Sequence, residues 1–477
     1  MAASPVWNGP GLDLEPAFRA VRGAAPFRRT GRVRQVVGLA VESTGPHARI
    51  GEVCSIRTAG GSHLRAKAAS ATGRGELLAE VVGFRDRNVL LLPLGEMEGI
   101  EAGSEVIAHG RPLQVGVGPG LLGRVVNAFG QPIDNRGPIP VERFQSLSGS
   151  APGPLDRTRV AEVLGLGVRA IDGPLTCGKG QRIGIFAGSG VGKSALLGMI
   201  ACNTSADANV IALVGERGRE VREFIERDLG DGLARSIVVV ATAEQPPLVR
   251  LKAAFTATTM AEYFRDEGCD VMLMMDSITR AATARREVGL AVGEPPTTRG
   301  YTPSVFAMLP QLLERAGTSR TGTITGVYAV LVEADDLTEP IADALKAILD
   351  GHVVLSRRIA SGGRYPAVDV LASVSRVMND IVSPEHTAAA NALRRVLATY
   401  AENEDLIAIG AYQRGTNPNI DAALDRIGDV RRYLAQGLDE EASLEDSIRM
   451  LVELFPQACN DARGSTLSGT RSTAGEA

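Results

Sequence analysis

The residues with the clearest chemical purpose form a glycine-rich turn at positions 187–195. An apolar segment of strand type enters this turn, and an apolar segment with helical spacing leaves it. Glycines allow backbone φ angles that other residues avoid, so successive amides can point at phosphate oxygens, and the following helix adds its positive N-terminal end. This context predicts a phosphate-binding loop. The predicted nucleotide-binding residues are Gly188, Ser189, Gly190, Val191, Gly192, Lys193, Ser194 and Ala195.

Two side chains of this loop have predicted roles of their own. Lys193 is expected to reach the β- and γ-phosphates of a nucleotide, and the Ser194 hydroxyl is expected to hold Mg²⁺. The loop departs from the strict motif, because Ala187 stands where the pattern has its first glycine. A glycine-rich turn without a ligand is the alternative. The agreement of strand, loop, lysine, hydroxyl and helix weighs against that alternative.

Two acidic residues follow apolar strand patterns further along the chain. Asp276 comes directly after residues 271–275, and in phosphate-loop enzymes an acid at such a strand end holds the water shell of magnesium. Capping of the next helix is its alternative role. Glu216 follows residues 210–214 and is placed to polarise the water that attacks the γ-phosphate, with Arg217 beside it. For Glu216 the alternative is a solvated charged turn.

The elements that must position these residues lie between about residues 177 and 363, where strand and helix patterns alternate. Near-continuous apolar strands separated by helices indicate a mostly parallel sheet covered on both faces. Ligands of such a sheet bind at the carboxyl ends of its strands. The predicted strands are 182–186, 210–214, 236–241, 271–275, 324–332 and 352–356.

Different patterns flank this central region. Short strand patterns at its N-terminal side predict a small β-barrel or sandwich, which contains a single aromatic residue, Phe84. Beyond about residue 383 the apolar spacing becomes helical. The predicted barrel strands are 33–41, 51–56, 76–84, 88–94 and 105–108, and the predicted C-terminal helices are 388–403, 421–435 and 443–455.

Composition argues against several classes of function. The 51 Lys and Arg against 55 Asp and Glu give a net charge of -4, which offers no electrostatic case for nucleic acid. Five cysteines and five histidines lack the spacing of a zinc site. A G-x-G-x-x-G motif at 118–123 contains Pro119 and precedes a strand pattern, so it fails as a dinucleotide-binding turn. Without a long apolar run or a signal-peptide pattern, we expect a cytoplasmic protein.

Several separate motifs in this order resemble the rotary-ATPase family, and within it the flagellar and type III secretion export ATPases. Beside the phosphate loop, they are GERGRE at 215–220, MDSITR at 275–280, DGH at 350–352 and YPAVD at 365–369. The resemblance covers about residues 30–456. It implies an α/β fold class: a RecA-like, mostly parallel sheet core with an N-terminal β-barrel and a C-terminal helical domain, assembled as a homohexamer. The implied domains are an N-terminal docking tail at 1–29, the barrel at 30–111, the RecA-like ATPase domain at 112–382, the helical domain at 383–460 and a disordered tail at 461–477.

The resemblance also implies roles for individual residues. Arg376 matches the arginine finger that enters the site of a neighbouring subunit, where a cation stabilises charge on the transferring phosphoryl group. Tyr365 matches the aromatic residue that stacks on adenine, whereas we interpret Tyr412 as a tyrosine packed at a helix end. The residues that match the family's phosphate, magnesium and catalytic positions are Lys193, Ser194, Glu216, Arg217 and Asp276.

The implied function is Mg²⁺-dependent hydrolysis of ATP that drives protein export through a type III secretion apparatus, with the flagellar type preferred to the injectisome. The implied partners are a stator or linker protein at the N-terminal tail, an export-gate stalk protein, export substrates and their chaperones. No nucleic acid is expected, and membrane contact is expected only peripherally, through partners at the inner face of the cytoplasmic membrane.

Two alternatives from other functional classes stay open. The first is a non-catalytic nucleotide-binding subunit of a rotary ATPase, against which Glu216 argues, because such paralogues lack this carboxylate. The second is an RNA-dependent hexameric translocase. A translocase of that kind needs stacking aromatics and a basic surface on its barrel, and this barrel is poor in aromatics within an acidic chain.

Two segments depart from the family pattern. Residues 415–421, GTNPNID, replace the acidic lever of the ATP synthase β subunit, so coupling to that enzyme's rotor is not expected. Ser194 stands where threonine is common, although either hydroxyl can ligate magnesium. Asp335 and Asp336 resemble an acidic turn of the family, and we interpret them as a solvated loop.

Overall fold

The computed structural model describes residues 28–58, 75–332 and 336–460. The predicted docking tail, apart from residues 28 and 29, the predicted disordered tail and Asp335 lie outside the described residues. The chain divides into two compact units, of which the first comprises the residues up to Pro93 together with Met97–Arg111. The second comprises Leu94–Glu96 and the chain from Pro112 onward. The boundaries inside the second unit stay predictions.

The first unit is a closed six-stranded barrel with strand order β1-β2-β5-β4-β3-β6. Inward-facing apolar side chains such as Val41, Ile56, Val81 and Leu91 form its core. The neighbouring pairs β1–β2, β1–β6, β2–β5, β3–β4 and β4–β5 are antiparallel, as expected for short strands joined by turns. The strands are β1 Thr30–Val37, β2 Ala40–Thr44, β3 Glu52–Arg57, β4 Glu76–Arg85, β5 Asn88–Pro93 and β6 Glu105–Pro112.

One predicted barrel strand is wrong, because residues 33–41 form a hairpin instead of one strand. β1 ends at Val37, and β2 pairs with it antiparallel from Ala40 onward. Gly38 has a φ of 58°, a left-handed conformation that favours glycine in a tight turn. The apolar run on both sides of Gly38 concealed the turn.

The second unit contains a nine-stranded sheet with the order β19-β18-β12-β17-β15-β13-β14-β8, and β16 pairs with β17 beside this path. Its central neighbours are parallel, whereas β19 runs antiparallel to β18. The six predicted strands of this region are confirmed. The remaining strands of the chain are β7 Gln114–Val117, β8 Val125–Asn127, β9 Arg143–Ser146, β10 Val163–Leu164, β11 Cys177–Gly178, β12 Arg182–Ala187, β13 Ala208–Glu216, β14 Ser236–Thr242, β15 Asp270–Asp276, β16 Gly317–Thr318, β17 Thr323–Leu331, β18 Gly351–Leu355 and β19 Val368–Ser375.

Helices cover the sheet and form the C-terminal region. After the short turn Pro119–Leu121 the chain enters strand β8, so the G-x-G-x-x-G segment does not open a long helix. Among the described residues, none of the helices is both long and apolar enough to cross a bilayer. The α-helices are Arg169–Asp172, Lys193–Asn203, Gly218–Glu223, Pro247–Asp266, Ile278–Val292, Pro303–Leu313, Pro340–Ile348, Arg357–Ser361, Met378–Ile381, Pro384–Ala408, Pro418–Leu434 and Leu444–Leu454.

The three predicted C-terminal helices are confirmed as Pro384–Ala408, Pro418–Leu434 and Leu444–Leu454. Each begins after a polar residue whose side-chain oxygen accepts a hydrogen bond from a backbone N–H in the first turn. Their inner faces share one apolar core with the sheet. This core joins sheet and phosphate-loop helix residues such as Ile185 and Leu196 to Leu393 and Val430 of the C-terminal helices.

Candidate active site

The predicted phosphate loop lies at the carboxyl end of β12 and leads directly into the helix Lys193–Asn203. Gly190 and Gly192 have φ angles of 78° and 92°, which favour glycine and allow successive backbone amides to point at one anion. Val191 is buried and anchors the loop on the core. Ser189 and Ser194 are exposed at the mouth of the loop. The loop therefore lies between a strand end and a helix N-terminus, where backbone N–H groups can bind an anion.

The departure from the motif at Ala187 has a simple structural reason. Ala187 is the last residue of β12 and pairs with Leu331 and Leu355 on the two neighbouring strands. It is fully buried and does not have a positive φ. A glycine is therefore not required at this position, because the sharp turn begins after it.

Three charged side chains meet beside the loop. Asp276 ends β15 and Glu216 ends β13, so parallel strands bring both acids to the edge where the loop lies. The Lys193 Nζ donates a hydrogen bond to Asp276 Oδ1 and lies 3.7 Å from Glu216 Oε1. All three side chains are largely buried. The lysine is thus the counter-charge of both carboxylates.

The Glu216 carboxyl group has the most perturbed environment of this cluster. Only 7% of the residue is exposed. Burial first, and the negative charge of Asp276 second, raise the pKa of Glu216 to about 7. Its Oε1 is buried and accepts no hydrogen bond from the described residues. A carboxylate with a pKa near neutrality and an open oxygen is suited to accept a proton from water.

A second arginine, missed by the sequence interpretation, contacts this carboxylate. The Arg280 Nη2 lies 3.1 Å from Glu216 Oε2, and Arg280 Nη1 donates to the Gly215 carbonyl oxygen. Arg217, predicted either to orient the Glu216 carboxylate or to contact phosphate, has an 81% exposed side chain that lies 3.6 Å from Glu220. Arg280 comes four residues after Asp276 in the MDSITR motif, and this spacing was the available signal.

Arg376 lies near the amino ends of the parallel strands, whereas the phosphate loop lies at their carboxyl ends. It follows β19, whose last residue, Ser375, pairs with Gly351 at the start of β18. Gly351 in turn pairs with Ile183 near the start of β12, four residues before Ala187. At the rise of a β-strand, these four residues place Arg376 about 13 Å, measured along β12, from the phosphate-loop end of that strand in the same chain. Its side chain is exposed and is not brought to the Lys193 cluster.

Tyr365 lies against the loop, as its predicted role requires. A Cβ added at Gly192 would lie 3.5 Å from the Tyr365 ring, and 46% of this tyrosine is exposed. Next to it, a cavity of about 230 Å³ is lined by Arg364 and Pro366 and by the helices Pro384–Ala408 and Pro418–Leu434. The exposed ring face and the cavity together offer room for a nucleotide base.

Tyr412 has contacts of another kind. Its hydroxyl lies 2.9 Å from both the Asn417 carbonyl oxygen and Asp421 Oδ1, either of which can accept its single proton. Asp421 also accepts a hydrogen bond from the Gly415 N–H at 2.8 Å. The tyrosine therefore stabilises the loop before the helix Pro418–Leu434, in agreement with its interpretation as a helix-end residue. The same contacts order the segment that replaces the acidic lever.

The fold and the site define a phosphate-loop nucleotide-binding protein, and comparisons with known families agree. The family model of the ATP synthase alpha/beta nucleotide-binding domain matches residues 167–375, and that of its beta-barrel domain matches 33–110. The model of the T3SS EscN ATPase C-terminal domain matches residues 382–453.

Individual relatives extend along nearly the whole chain. The chain is 56% identical to the flagellum-specific ATP synthase of Bacillus subtilis, over 90% of this chain and 95% of that protein. It is 49% identical to the type 3 secretion system ATPase of Xanthomonas euvesicatoria, over 92% and 97%. The solved structure of the assembled ATPase EscN of enteropathogenic E. coli matches with a TM-score of 0.81 at 43% identity, over 89% of this chain and 99% of that chain. The chain belongs to the ATP synthase alpha/beta family, among its flagellar and type III secretion ATPases, and is an ATP-driven export ATPase.

Proposed function

We propose that the chain hydrolyses Mg²⁺-bound ATP to drive protein export through a type III secretion apparatus of the flagellar type. The observation that carries this proposal is Glu216, a buried carboxylate with an open oxygen beside the loop lysine. The 56% identity to one flagellar relative supports the flagellar type, whereas a type 3 secretion relative at 49% and another flagellar relative at 48% are equally similar to this chain.

The proposed roles follow from position and charge. The loop amides and Lys193 bind the phosphates, and the Ser194 hydroxyl and Asp276, the latter through water, hold Mg²⁺. When bound, the metal ion neutralises charge on the phosphates. Glu216 accepts the proton of the attacking water, and Arg280 holds its carboxylate in place. Arg217 acts on Glu216 through Glu220, whose side chain shares a hydrogen bond with Glu216.

The environment fits the proposed ligands on independent grounds. Phosphates would replace the carboxylates as partners of Lys193, and the positive φ angles of Gly190 and Gly192 would allow the loop amides to bind them. The base is proposed to stack on Tyr365 and to enter the adjoining cavity. One residue of its lining, Arg431, has a buried Nε without an acceptor among the described residues, and this N–H can donate to a base nitrogen.

The site is proposed to be completed between chains. Arg376 lies about 13 Å, measured along β12, from the phosphate-loop end of that strand in its own chain. It therefore serves a second copy, in which a cation beside the γ-phosphate stabilises the transition state. We propose a homohexamer as the assembly. A solved relative is described as the assembled ATPase EscN, and another structure holds that protein with its central stalk EscO.

The remaining partners belong to the same proposal. A stalk protein comparable to EscO, a stator or linker protein at the N-terminal tail, and export substrates with their chaperones would bind the assembled ATPase. Attachment to the inner face of the cytoplasmic membrane would be peripheral and would depend on these partners. The proposed domain boundaries are 1–29, 30–111, 112–382, 383–460 and 461–477.

Complementation between two inactive variants tests the in-trans site. Lys193→Ala removes the phosphate lysine and keeps Arg376, whereas Arg376→Ala does the reverse. Each variant alone should be inactive, and co-expressed chains should regain part of the wild-type ATPase rate, because one kind of interface then has both residues. Turnover by Arg376→Ala alone, or assembled mixtures without any turnover, would overturn the in-trans arrangement.

The same assay separates the two alternative functions. A non-catalytic subunit would bind ATP and show no turnover that depends on Glu216. An RNA-dependent translocase would hydrolyse ATP faster when single-stranded RNA is added, whereas the export ATPase is expected to ignore it. The rate per chain should also rise with protein concentration, unless the ring is already formed at the lowest concentration.

A further inference from the structure

The backbone of Arg376 is attached to the first residue of the strand that ends in the phosphate loop of the same chain. The N–H of Arg376 donates to the Asp350 carbonyl oxygen at 3.0 Å, and the N–H of Asp350 donates to the Arg182 carbonyl oxygen at 2.9 Å. Arg182 begins β12, and its N–H and Nε each donate to Asp350 Oδ2 at 3.0 Å. Asp350 therefore joins the start of β12 to the turn that carries Arg376.

A buried amide side chain strengthens this junction. Gln181, directly before β12, is fully buried, and its Nε2 donates to the Asp350 carbonyl oxygen and to Ser375 Oγ, both at 3.2 Å. Its Oε1 accepts from the Gly178 N–H at 2.9 Å. The Ser375 hydroxyl in turn donates to the Thr176 carbonyl oxygen at 2.9 Å. A buried amide with all these hydrogen bonds made holds its partners in one arrangement.

The junction is also closely packed. A Cβ added at Gly351 would lie 2.6 Å from the Val374 carbonyl oxygen and 3.2 Å from Gln181 Nε2. The end of β19 and the start of β18 therefore approach each other so closely that only glycine fits at position 351. A small displacement of Gln181 would be transmitted to the neighbouring backbone because little free space absorbs it.

The guanidinium of Arg376 has a second link, to the other end of β12. Its Nη2 donates to the Lys346 carbonyl oxygen at 3.1 Å. The Lys346 Nζ lies 5.6 Å from the centroid of the Phe186 ring, in the range of a cation–π contact. Phe186 precedes Ala187, which leads into the phosphate loop. Both ends of β12 are thus connected to Arg376.

We propose that Gln181 is a positioning residue for Arg376, and that β12 couples the phosphate loop of one chain to the arginine that this chain supplies to its neighbour. This inference rests on the in-trans role of Arg376 proposed above. A shift of β12 on nucleotide binding would move the backbone anchor of Arg376 through Gln181 and Asp350.

The test places Gln181→Met, which keeps the side-chain volume and removes its hydrogen bonds, in one or the other member of the complementing pair. In the chain that supplies Arg376, which carries Lys193→Ala, the substitution should lower kcat roughly 10- to 100-fold, because a misplaced catalytic group loses rate steeply. In the chain that supplies the phosphate loop, which carries Arg376→Ala, it should leave kcat and KM unchanged.

A matched control and a second variant keep this test decisive. Asn209→Leu removes another fully buried amide of the sheet, whose Nδ2 donates to the Ala201 carbonyl oxygen and to Ser236 Oγ. Placed in the Arg376-supplying chain, it should not lower kcat. Ser375→Ala removes one partner of Gln181 and should reproduce the one-sided loss to a smaller extent, if Gln181→Met does not fold.

The possible failures can be told apart. An equal loss in both arrangements, or no loss in either, would overturn the positioning role of Gln181. If the pair Lys193→Ala and Arg376→Ala shows no turnover even with native Gln181, the in-trans site itself is wrong. Full turnover of the pair with Gln181→Met in the Arg376-supplying chain would leave the in-trans site intact and reject only the coupling.

Discussion

The charged residues at the two ends of the parallel strands differ in their burial. At the carboxyl ends of the strands, Lys193, Glu216 and Asp276 are largely buried and in contact, and each charge has a partner. Near the amino ends of the strands, Arg376 is exposed, and among the described residues its side chain donates only to a carbonyl oxygen. Buried charges require partners, whereas an exposed arginine costs its own chain little. This difference is what we expect if one chain supplies the phosphate-facing part of a site and presents Arg376 to a second copy.

The largest effect is expected when the exposed arginine is removed. Arg376→Ala should lower ATP turnover roughly a thousandfold or more, the range found for arginine fingers, while the Kd for ATP stays unchanged. Thermal stability should also stay unchanged, because the side chain is exposed. Single-turnover assays and titration with a fluorescent nucleotide measure the two quantities. Arg449→Ala, on an exposed face of the helix Leu444–Leu454, is the control that should behave like the wild type.

The second-largest effect is expected when the proposed proton acceptor is removed from the buried charged cluster. Glu216→Gln should lower kcat by roughly 10²- to 10⁴-fold, the contribution of a general base, and should retain ATP binding. Unlike Arg376→Ala, it should remain inactive when the co-expressed partner is Lys193→Ala with a native Arg376. The reason is that the only chain with an intact phosphate lysine then lacks its own carboxylate. Recovery of turnover in that mixture would contradict the role of Glu216.

The pKa of Glu216 predicts how stability depends on pH. Burial raises this pKa from 4.5 to about 7, so folding favours the protonated form. The stability that this provides is complete below pH 4.5 and is lost as the pH rises through about 7. Glu216→Gln should therefore exceed the wild type in melting temperature by an amount that grows between these pH values. A constant difference across that range, measured by thermal denaturation, would contradict the raised pKa.

A smaller effect distinguishes Arg280 from Arg217. The positive charge of Arg280 lowers the pKa of Glu216, so Arg280→Ala should raise it. The pH at which kcat/KM rises should then move upward, and the rate near pH 7 should fall by about tenfold, with partial recovery in alkali. Arg217→Ala should shift this profile less, since Arg217 contacts Glu220 and not Glu216. Equal shifts in both variants would contradict the assignment.

The smallest expected effect concerns the base. Tyr365→Ala should raise KM for ATP by about tenfold, since stacking of one base on an aromatic ring contributes roughly 1–3 kcal/mol. The kcat should change little, because the ring lies apart from the transferred phosphate. Tyr365→Phe keeps the stacking face and should resemble the wild type in a steady-state assay. A loss of kcat in Tyr365→Ala without a change of KM would remove the ring from the base site.

The sheet could be predicted from sequence to the extent that its strands are apolar on both faces. β12, β13 and β15 are nearly uniform apolar runs, and the acids that end β13 and β15 stood out for that reason. The edge strand β19 was missed, because one of its faces is exposed and its pattern is half polar. The hairpin at Gly38 was missed for the opposite reason, since its apolar run continues across the turn.

Local spacing alone was sufficient to predict the phosphate loop and the acids Glu216 and Asp276, because a glycine turn and a strand-end acid are properties of a few consecutive residues. Contacts between distant segments required the tertiary structure. Arg280 meets Glu216 because two parallel strands end side by side, and Gln181 meets Ser375 across 194 positions of the chain. The register of β19 on β18 decided that Arg376 faces away from its own loop, since an antiparallel edge strand carries its end to the opposite side of the sheet.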